Sequence, residues 1–499
     1  MFSFFCPAGY ANLPHSRRFS LAGTTALVLA TTAALLLDAA SVGFGADAAG
    51  APNFLIILAD DLGWGDVGFH GSEIKTPNID KLAAAGARLE QFYVQSLCSP
   101  TRAALMTGRY PLRYGLQLGV VRPWALYGLP LQERTLPQAL QQAGYETAIC
   151  GKWHLGHFQP AYFPTRRGFD HQYGHYNGAI DYFTHERDGG LDWHRDDKGL
   201  REEGYSTFLI ADEAVRIINR HDAKKPLFLY VPFNAVHAPH QAPAKYCEPY
   251  AQLKDPRRTY AGMVAAMDEA IGTIIAALQK KGLRPNTLIV FSSDNGGPNP
   301  GVVTSNGPLR AGKSTLYEGG VRVVACATWD GRIPAGSIVN QPLHVVDWYP
   351  TLLKLAGVSA AQQLPLDGRD AWPTIAQGKP SPHAEILLNT TPTAGAMRVG
   401  DWKLVLNGSG EHAAADGGNP EKEAKKAKKA RAAGATDEPV ELFNLAQDPY
   451  EKQNLAAADP GKLQELRARL DALAKQAAPP KSTAPAPGYK PPKVWGAQE

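Results

Sequence analysis

The sequence predicts an α/β fold built on a large, mostly parallel sheet, with a smaller antiparallel unit behind it. Apolar, β-rich runs alternate with stretches that repeat apolar residues at helical spacing, the pattern of strand–helix–strand units. The runs carry no polar alternation, so the strands they form are buried on both faces. With 499 residues, 44% hydrophobic and 20% charged, the chain is long enough for such a core. These values exclude wholesale disorder, collagen-like repetition and a polytopic membrane protein.

The elements follow in chain order. Residues 1–20 are basic without an acidic residue, Leu21–Leu37 is apolar, Asp38 ends the run, and Ala46-Asp47-Ala48 is a small-residue cleavage pattern. Residues 1–48 read as a signal peptide, so the protein is expected to be exported, periplasmic or secreted, and to meet a membrane only through this leader. Ser16-Arg17-Arg18-Phe19 offers a twin-arginine pair, but Ser20 stands where an apolar residue is usual, and the export route stays open. Strands are predicted at Phe54–Ala59, Thr147–Cys150, Leu227–Phe233, Thr287–Ser292 and Val321–Ala327. Helices are predicted over Asn78–Phe92, Thr135–Ala143, Phe208–Arg220 and Tyr260–Lys281. Together they make a catalytic domain over residues 49–380.

From residue 381 the character changes. Ala384–Leu388, Ala396–Val399 and Trp402–Leu406 read as short strands, the last two joined by a Gly400-Asp401 turn, and Leu463–Ala474 as a closing helix. This is a small α+β subdomain over 381–478. Its residues 411–438, rich in Ala, Gly and Lys, form a surface insert. Six prolines between 479 and 499 predict an extended, mobile tail.

Charge and cysteine content narrow the function. The net charge is +4, and residues 421–431 alone, with six basic and two acidic residues, supply that amount. The rest of the chain is balanced, so no nucleic-acid partner is expected. The five cysteines (Cys6, Cys98, Cys150, Cys247, Cys326) show no CxxC pair and no zinc spacing, and a disulfide scaffold is not expected at this size.

The polar residues of interest lie just past the predicted strands: Asp60-Asp61, Lys152 and His154, His237, and Asp294-Asn295. Open α/β sheets bind ligands beyond the carboxyl ends of their strands, so these sequence-distant groups should meet at one rim. Three carboxylates and an amide are hard oxygen donors, suited to Ca2+ or Mg2+ rather than zinc. In Cys98-Ser99-Pro100-Thr101-Arg102, Pro100 fits the first position of a helix, which sets Cys98 at a helix mouth that favours anions. With the cations Arg102, Lys152 and Lys313 and the proton carriers His154 and His237, the set points to an anionic tetrahedral substrate, without separating sulfate from phosphate.

CSPTRAALMTGRY resembles the signature of the sulfatase family, and the likeness extends in order through ADDLGWGDVGFHG (59–71), GKWHLG (151–156), PTRRGFD (164–170), FNAVHAPH (233–240), SSDNGG (292–297) and GKSTLYEGGVR (312–322). It covers nearly all of residues 52–406. PTRRGFD and the Asp-Glu-Ala of AGMVAAMDEAIG favour the arylsulfatase B, or N-acetylgalactosamine-4-sulfatase, type. The resemblance implies an alkaline-phosphatase-like sandwich and a sulfuric ester hydrolase acting on sulfated carbohydrate or aryl sulfate. It implies that a formylglycine-generating enzyme converts Cys98 to formylglycine (3-oxoalanine), whose hydrate is the nucleophile. It further implies one Ca2+ held by Asp60, Asp61, Asp294, Asn295 and the modified Cys98. Arg102 and His154 would hold and deprotonate the hydrate, Lys152 and Lys313 would neutralise sulfate oxygens, and His237 with Lys313 would assist the departing alcohol. Thr101 stands where Ser is commoner, which keeps the hydroxyl; the Lys-rich insert matches no family feature. Two alternatives stay open: a phosphonate monoester or phosphodiester hydrolase of the same superfamily, and a non-catalytic binder of sulfated polysaccharide using the lysines of the insert. Specificity is expected on the loops Arg113–Tyr127 and Tyr173–Trp193.

Overall fold

The computed structural model describes residues 50–391, 393–409 and 439–497, so the predicted leader and the insert 411–438 lie outside the described residues. Among these, ten strands form one main sheet: β1 Asn53–Ala59, β2 Ala87–Leu89, β3 Glu146–Lys152, β4 His171–His175, β5 His194–Arg195, β6 Lys198–Gly199, β7 Leu227–Pro232, β8 Thr287–Ser293, β9 Ala325–Thr328 and β10 Ser337–Val339. Their order is β10-β2-β9-β8-β1-β7-β3-β4-β5-β6. The centre is parallel: β1 pairs with β7 and β8, β7 with β3, and β3 with β4. Antiparallel pairs occur towards the edges.

Helices cover both faces, as the unbroken apolar strands require. On one face Phe54, Ile56 and Leu58 join Met106 of α2 (Cys98–Thr107) and Leu140 of α3 (Leu136–Gln142). On the other, Leu55, Ile57 and Ala59 join Ile79 of α1 (Pro77–Ala84), Ile217 of α4 (Ser206–Arg220) and Ile274 of α5 (Arg257–Lys281). By length and composition α5 could cross a membrane, but most of its apolar residues from Tyr260 to Leu278 are buried in this core. The start of α3 is fixed by a capping box, Thr135 accepting from Gln138 N while the Gln138 side chain accepts from Thr135 N.

Two predicted elements need correction. The helix expected over Asn78–Phe92 stops at Ala84, and the chain turns at Gly86 into β2. A Cβ on Gly86 would lie 2.2 Å from the carbonyl oxygen of Ala327, so the close pairing of β2 with β9 requires glycine there. The strand expected at Val321–Ala327 begins only at Ala325, because Glu318–Val321 form a helical turn.

The C-terminal subdomain is a four-stranded antiparallel sheet: β11 Glu385–Thr390, β12 Gly395–Val399, β13 Trp402–Leu406 and β14 Val440–Asn444. Helix α6 (Pro460–Ala474), capped by Asp459, packs Leu466 and Leu470 on it. An ion network that is fully buried ties this sheet to the main domain. Lys403 of β13 lies 2.8 Å from both Glu318 and Glu451, Tyr93 donates to Glu318 at 2.9 Å, and Arg398 of β12 donates to Tyr93 at 2.6 Å.

The tail is extended and hydrogen-bonded to neighbouring loops. Lys481 N donates to Gly115 O at 2.7 Å, Trp124 Nε1 to Thr483 O at 2.7 Å, and Leu191 N to Lys493 O at 2.9 Å. The Trp495 ring is buried and donates to Arg187 O. Proline lacks an amide donor but keeps its carbonyl, and a chain without its own ladder can still be stitched to neighbouring loops through the residues between its prolines.

Candidate active site and metal centre

The strands β8, β1, β7 and β3 are neighbours and parallel, so their carboxyl ends share one edge of the sheet. Asp60-Asp61 follow β1, Asp294-Asn295 follow β8, His237 follows β7, and Lys152 ends β3 two residues before His154. Asp61 and His154 hold left-handed backbone, with φ of 65° and 56°. Non-glycine residues adopt this region only where surrounding contacts impose it. Here Asp61 N is held by Asp294 Oδ1 at 3.2 Å and His154 N by Tyr176 O at 3.0 Å.

Helix α2 delivers Cys98. It begins at Cys98 itself, so Pro100 is its third residue rather than its first; both positions lack an intrahelical partner for the missing N–H. The Thr101 hydroxyl donates to Gln95 O at 3.1 Å and accepts from Gln95 N at 3.0 Å, which ties down the approach to Cys98. The hydroxyl therefore has a structural role that serine or threonine can fill. All ten residues of the helix are buried, Arg102 included.

Charge converges around the cysteine. Cys98 Sγ lies 3.6 Å from Asp60 Oδ1, and Lys152 Nζ bonds the other oxygen of Asp60. Arg102 donates to Asp294 Oδ2 from Nε at 3.1 Å and from Nη2 at 2.8 Å, approaches Asp60 Oδ2 to 3.5 Å, and donates from Nη1 to Lys152 O. Lys313 Nζ donates to Asp61 Oδ2 at 2.9 Å, His237 Nε2 stands 3.7 Å from the same oxygen, and Asn295 Nδ2 donates to Asp61 Oδ1 at 2.7 Å. All the residues predicted for the site are thus brought together.

The electrostatics assign protonation states. Burial pushes the Cys98 thiol well up, helped by Asp294 and Asp60 and only partly opposed by Lys152 and Lys313. An uncharged, enclosed thiol is a poor nucleophile. Burial also raises Asp294, to about 6, with Asp60 adding to it against Arg102 and Lys152. Burial would raise Asp61 too, but Lys313, His237 and the Asn295 amide hold it below the ordinary carboxylate range. Burial, then Lys152 and Arg102, drive His154 well down, so its imidazole is neutral. Its Nε2 donates to Val121 O at 3.1 Å, which leaves Nδ1 as the basic nitrogen, buried and without a hydrogen-bond partner.

The donor set fits a hard cation. Asp60, Asp61, Cys98 and His237 each offer a ligand atom, all within 4.8 Å of one another. Asn295 Oδ1 is buried with no partner, as an amide oxygen reserved for a cation would be. Sequence spacing puts Asp294 in this group and His237 outside it. The structure brings His237 to Asp61 and engages Asp294 Oδ2 with Arg102.

Several supporting residues carry no signal in the sequence. Ser99 Oγ donates to His154 O at 2.9 Å and accepts from Val121 N. Tyr182 OH reaches the carbonyls of Asn234 and His237, at 2.7 and 2.8 Å. Gly178 lies flat on the His154 ring, where a Cβ would come within 2.5 Å of Cε1. Val121, Gly178 and Tyr182 all sit on the two loops expected to carry specificity. Contacts across 22 to 55 residues of sequence leave no local pattern to read.

Comparison with known proteins matches this geometry. A family model described as Sulfatase covers residues 52–358. Arylsulfatase J of Mus musculus is 39% identical over 461 residues, 86% of this chain and 76% of that protein, and N-acetylgalactosamine-6-sulfatase of Canis lupus familiaris is 37% identical over 69% of this chain and 70% of its own length. Among solved structures, one titled as Ps i-CgsB in complex with k-i-k-neocarrahexaose is 32% identical with a TM-score of 0.75, covering 86% of this chain and 94% of that one. With more than half of its length under one family model, the chain belongs to the sulfatase family and is an enzyme of sulfate ester hydrolysis.

Proposed function

We propose that this enzyme hydrolyses the sulfate esters of carbohydrates, and aryl sulfates as simpler analogues, through a formylglycine hydrate at position 98 and one Ca2+. The observation that carries the proposal is the gathering of Arg102, Lys152, Lys313 and His154 with three buried carboxylates around an uncharged Cys98. Asp60, Asp61 and Asn295 would hold the Ca2+, with Asp294 and the group at 98 completing the site. Bound there, the ion would supply Lewis-acid neutralisation of a sulfate oxygen.

The chain's own groups have matching tasks. A geminal diol at 98 would provide one hydroxyl for attack and a second whose loss of a proton returns the aldehyde and expels sulfate; an unmodified thiol provides neither. Arg102 and the free Nδ1 of His154 orient the diol and take its proton. Lys152 and Lys313 face the charge that spreads over sulfate during S–O cleavage, preorganised by Asp60 and Asp61. His237 stands on the side of Lys313 and protonates the departing alcohol. The leader supports export, with oxidation of Cys98 by a formylglycine-generating enzyme beforehand. Within the family, PTRRGFD and the Asp-Glu-Ala of α5 favour 4-sulfated N-acetylgalactosamine as substrate.

Peptide mass spectrometry across residues 98–102, beside kinetics on an aryl sulfate and a phosphate diester, tests this. The aldehyde and a preference for the sulfate are expected. An active enzyme with an intact thiol would overturn the mechanism, and a large preference for the diester would favour a phosphodiesterase. Matched 4- and 6-sulfated N-acetylgalactosamine then decide the regiochemistry.

A further inference from the structure

Beyond the sulfate site, the tail builds a second concave surface. A groove of about 420 Å³ is lined by Trp124 and Leu126 from one loop, by Phe158 from another, and by Tyr489, Pro492 and Trp495 from the tail. That volume lies in the range of small-ligand sites. Its floor and rim are aromatic: Trp124 and Tyr489 stand 6.3 Å apart with their planes at 70°, and Trp495 meets His157 edge-on at 5.4 Å. Leu126 is 76% exposed at the rim, and Tyr489 is half-buried with its hydroxyl covered.

The walls of the groove grow out of the catalytic motifs. Val121 O accepts from His154 Nε2, and Pro123, two residues on, accepts from His157 Nε2 at 3.1 Å. The loop that continues to Trp124 and the segment that continues to Phe158 therefore both leave the sulfate site directly. The third wall is clamped in place at Gly115, Trp124 and Leu191. The charge of this wall has one sign: between residues 479 and 497 lie Lys481, Lys490 and Lys493 and no acid, and Arg122 stacks over the Trp124 ring with 6.0 Å to its centroid.

We propose that this groove is a subsite for a pyranose unit of a sulfated oligosaccharide, adjoining the unit that loses its sulfate. Aromatic faces carry negative charge density and pack against the axial C–H edges of a sugar ring. The lysines complement sulfates further along the polymer. The assignment rests on the sulfatase reading above and extends it to polymeric substrates. It makes the tail part of substrate recognition, while an aryl sulfate, which ends at the sulfate site, has no use for it.

The test uses the full chain carrying Trp124→Ala, Tyr489→Ala or Tyr489→Phe. Aryl sulfate turnover is expected to stay within about twofold of the unsubstituted enzyme. On a sulfated hexasaccharide KM should rise about tenfold for either alanine variant, and less for Tyr489→Phe, which keeps the ring. Equal losses on both substrates, or none on the hexasaccharide, would overturn the subsite. A variant that melts early is replaced in the comparison by Tyr489→Phe. Calorimetric binding of carrageenan, chondroitin 4-sulfate and chondroitin 6-sulfate hexasaccharides to the Cys98→Ala protein separates the two claims. Failure of turnover with groove-dependent binding retained counts against the sulfatase chemistry alone. Binding of none of the three, or binding that ignores Trp124→Ala, counts against the groove.

Discussion

At the scale of single residues, Cys98 and Asn295 make opposite predictions. Cys98→Ala should lose sulfatase activity by at least about a thousandfold, since it removes the group proposed to attack. Its melting temperature should barely move, because a methyl group fills most of the space of a buried thiol that makes one weak contact, to Asp60. Asn295→Ala acts on the proposed Ca2+ site instead. Ca2+ that binds only the folded protein raises its melting temperature with concentration, and this rise should shrink or vanish in the variant. Chelation of the native enzyme should abolish turnover, and restored Ca2+ should recover it. Differential scanning calorimetry with and without Ca2+ reads both effects. A Ca2+ response that survives intact in Asn295→Ala would place the ion elsewhere.

At the scale of elements, β3 shows how a strand end positions chemistry. Gly151 has φ of 133°, and a Cβ there would sit 1.9 Å from the carbonyl oxygen of Pro232 in β7. Gly151→Ala must push β3 from β7 and carry Lys152 with it, so soluble yield and activity should fall together. The capping box of α3 lies far from the chemistry, and Thr135→Ala should cost about 1 kcal/mol in urea denaturation with kcat unchanged. This is also the scale at which the sequence was most legible. The strands β1, β7 and β8 and the helices α4 and α5 are predicted to within a few residues, because two-faced burial writes itself into unbroken apolar runs. Asp60-Asp61, Lys152, His154, His237 and Asp294-Asn295 follow from the same logic, since each stands at or just past the end of a run, whereas Cys98 and Arg102 lie on α2 and Lys313 in a loop. The short edge elements were not legible. Gly86 between α1 and β2 is demanded by the carbonyl of Ala327, some 240 residues away, and only the fold supplies that neighbour. The contacts of the tail were not legible for the same reason: proline content describes its backbone, while Gly115 and Leu191 determine what it is tied to.

At the scale of the whole molecule, the buried Lys403 network joins the C-terminal sheet to Tyr93 and Glu318 beside the main sheet. Burial works against the Lys403 charge, but Glu318 and Glu451 win and push it up to about 12. The two acids divide unequally: Glu318 is lowered despite its burial, by Lys403 and Arg322, whereas burial and Glu318 raise Glu451 to about 6. Lys403→Met strands two buried carboxylates and should cost about 3–5 kcal/mol. The signs differ for the acids. The contribution of Glu318 is present above its unfolded pKa and is lost as pH falls. Glu451 favours folding most while protonated, and that contribution fades as pH rises through about 6. Glu451→Gln should therefore be the milder change, and its advantage over Glu318→Gln should be larger at pH 8 than at pH 5. Chemical denaturation at the two pH values measures this, and identical losses at both would contradict the division.

The enclosure of α2 has a consequence for how the protein is made. Cys98 is 1% exposed and every residue around it in the helix is covered, so no other protein can reach its sulfur once the domain has closed. Any enzyme that oxidises this thiol must seize the segment as a nascent or freshly released strand, in competition with the collapse that hides it. If activity requires the proposed formylglycine, folding speed then sets the fraction of molecules that ever become active. A cell that makes the chain faster than it can modify it would accumulate well-folded, permanently inert copies.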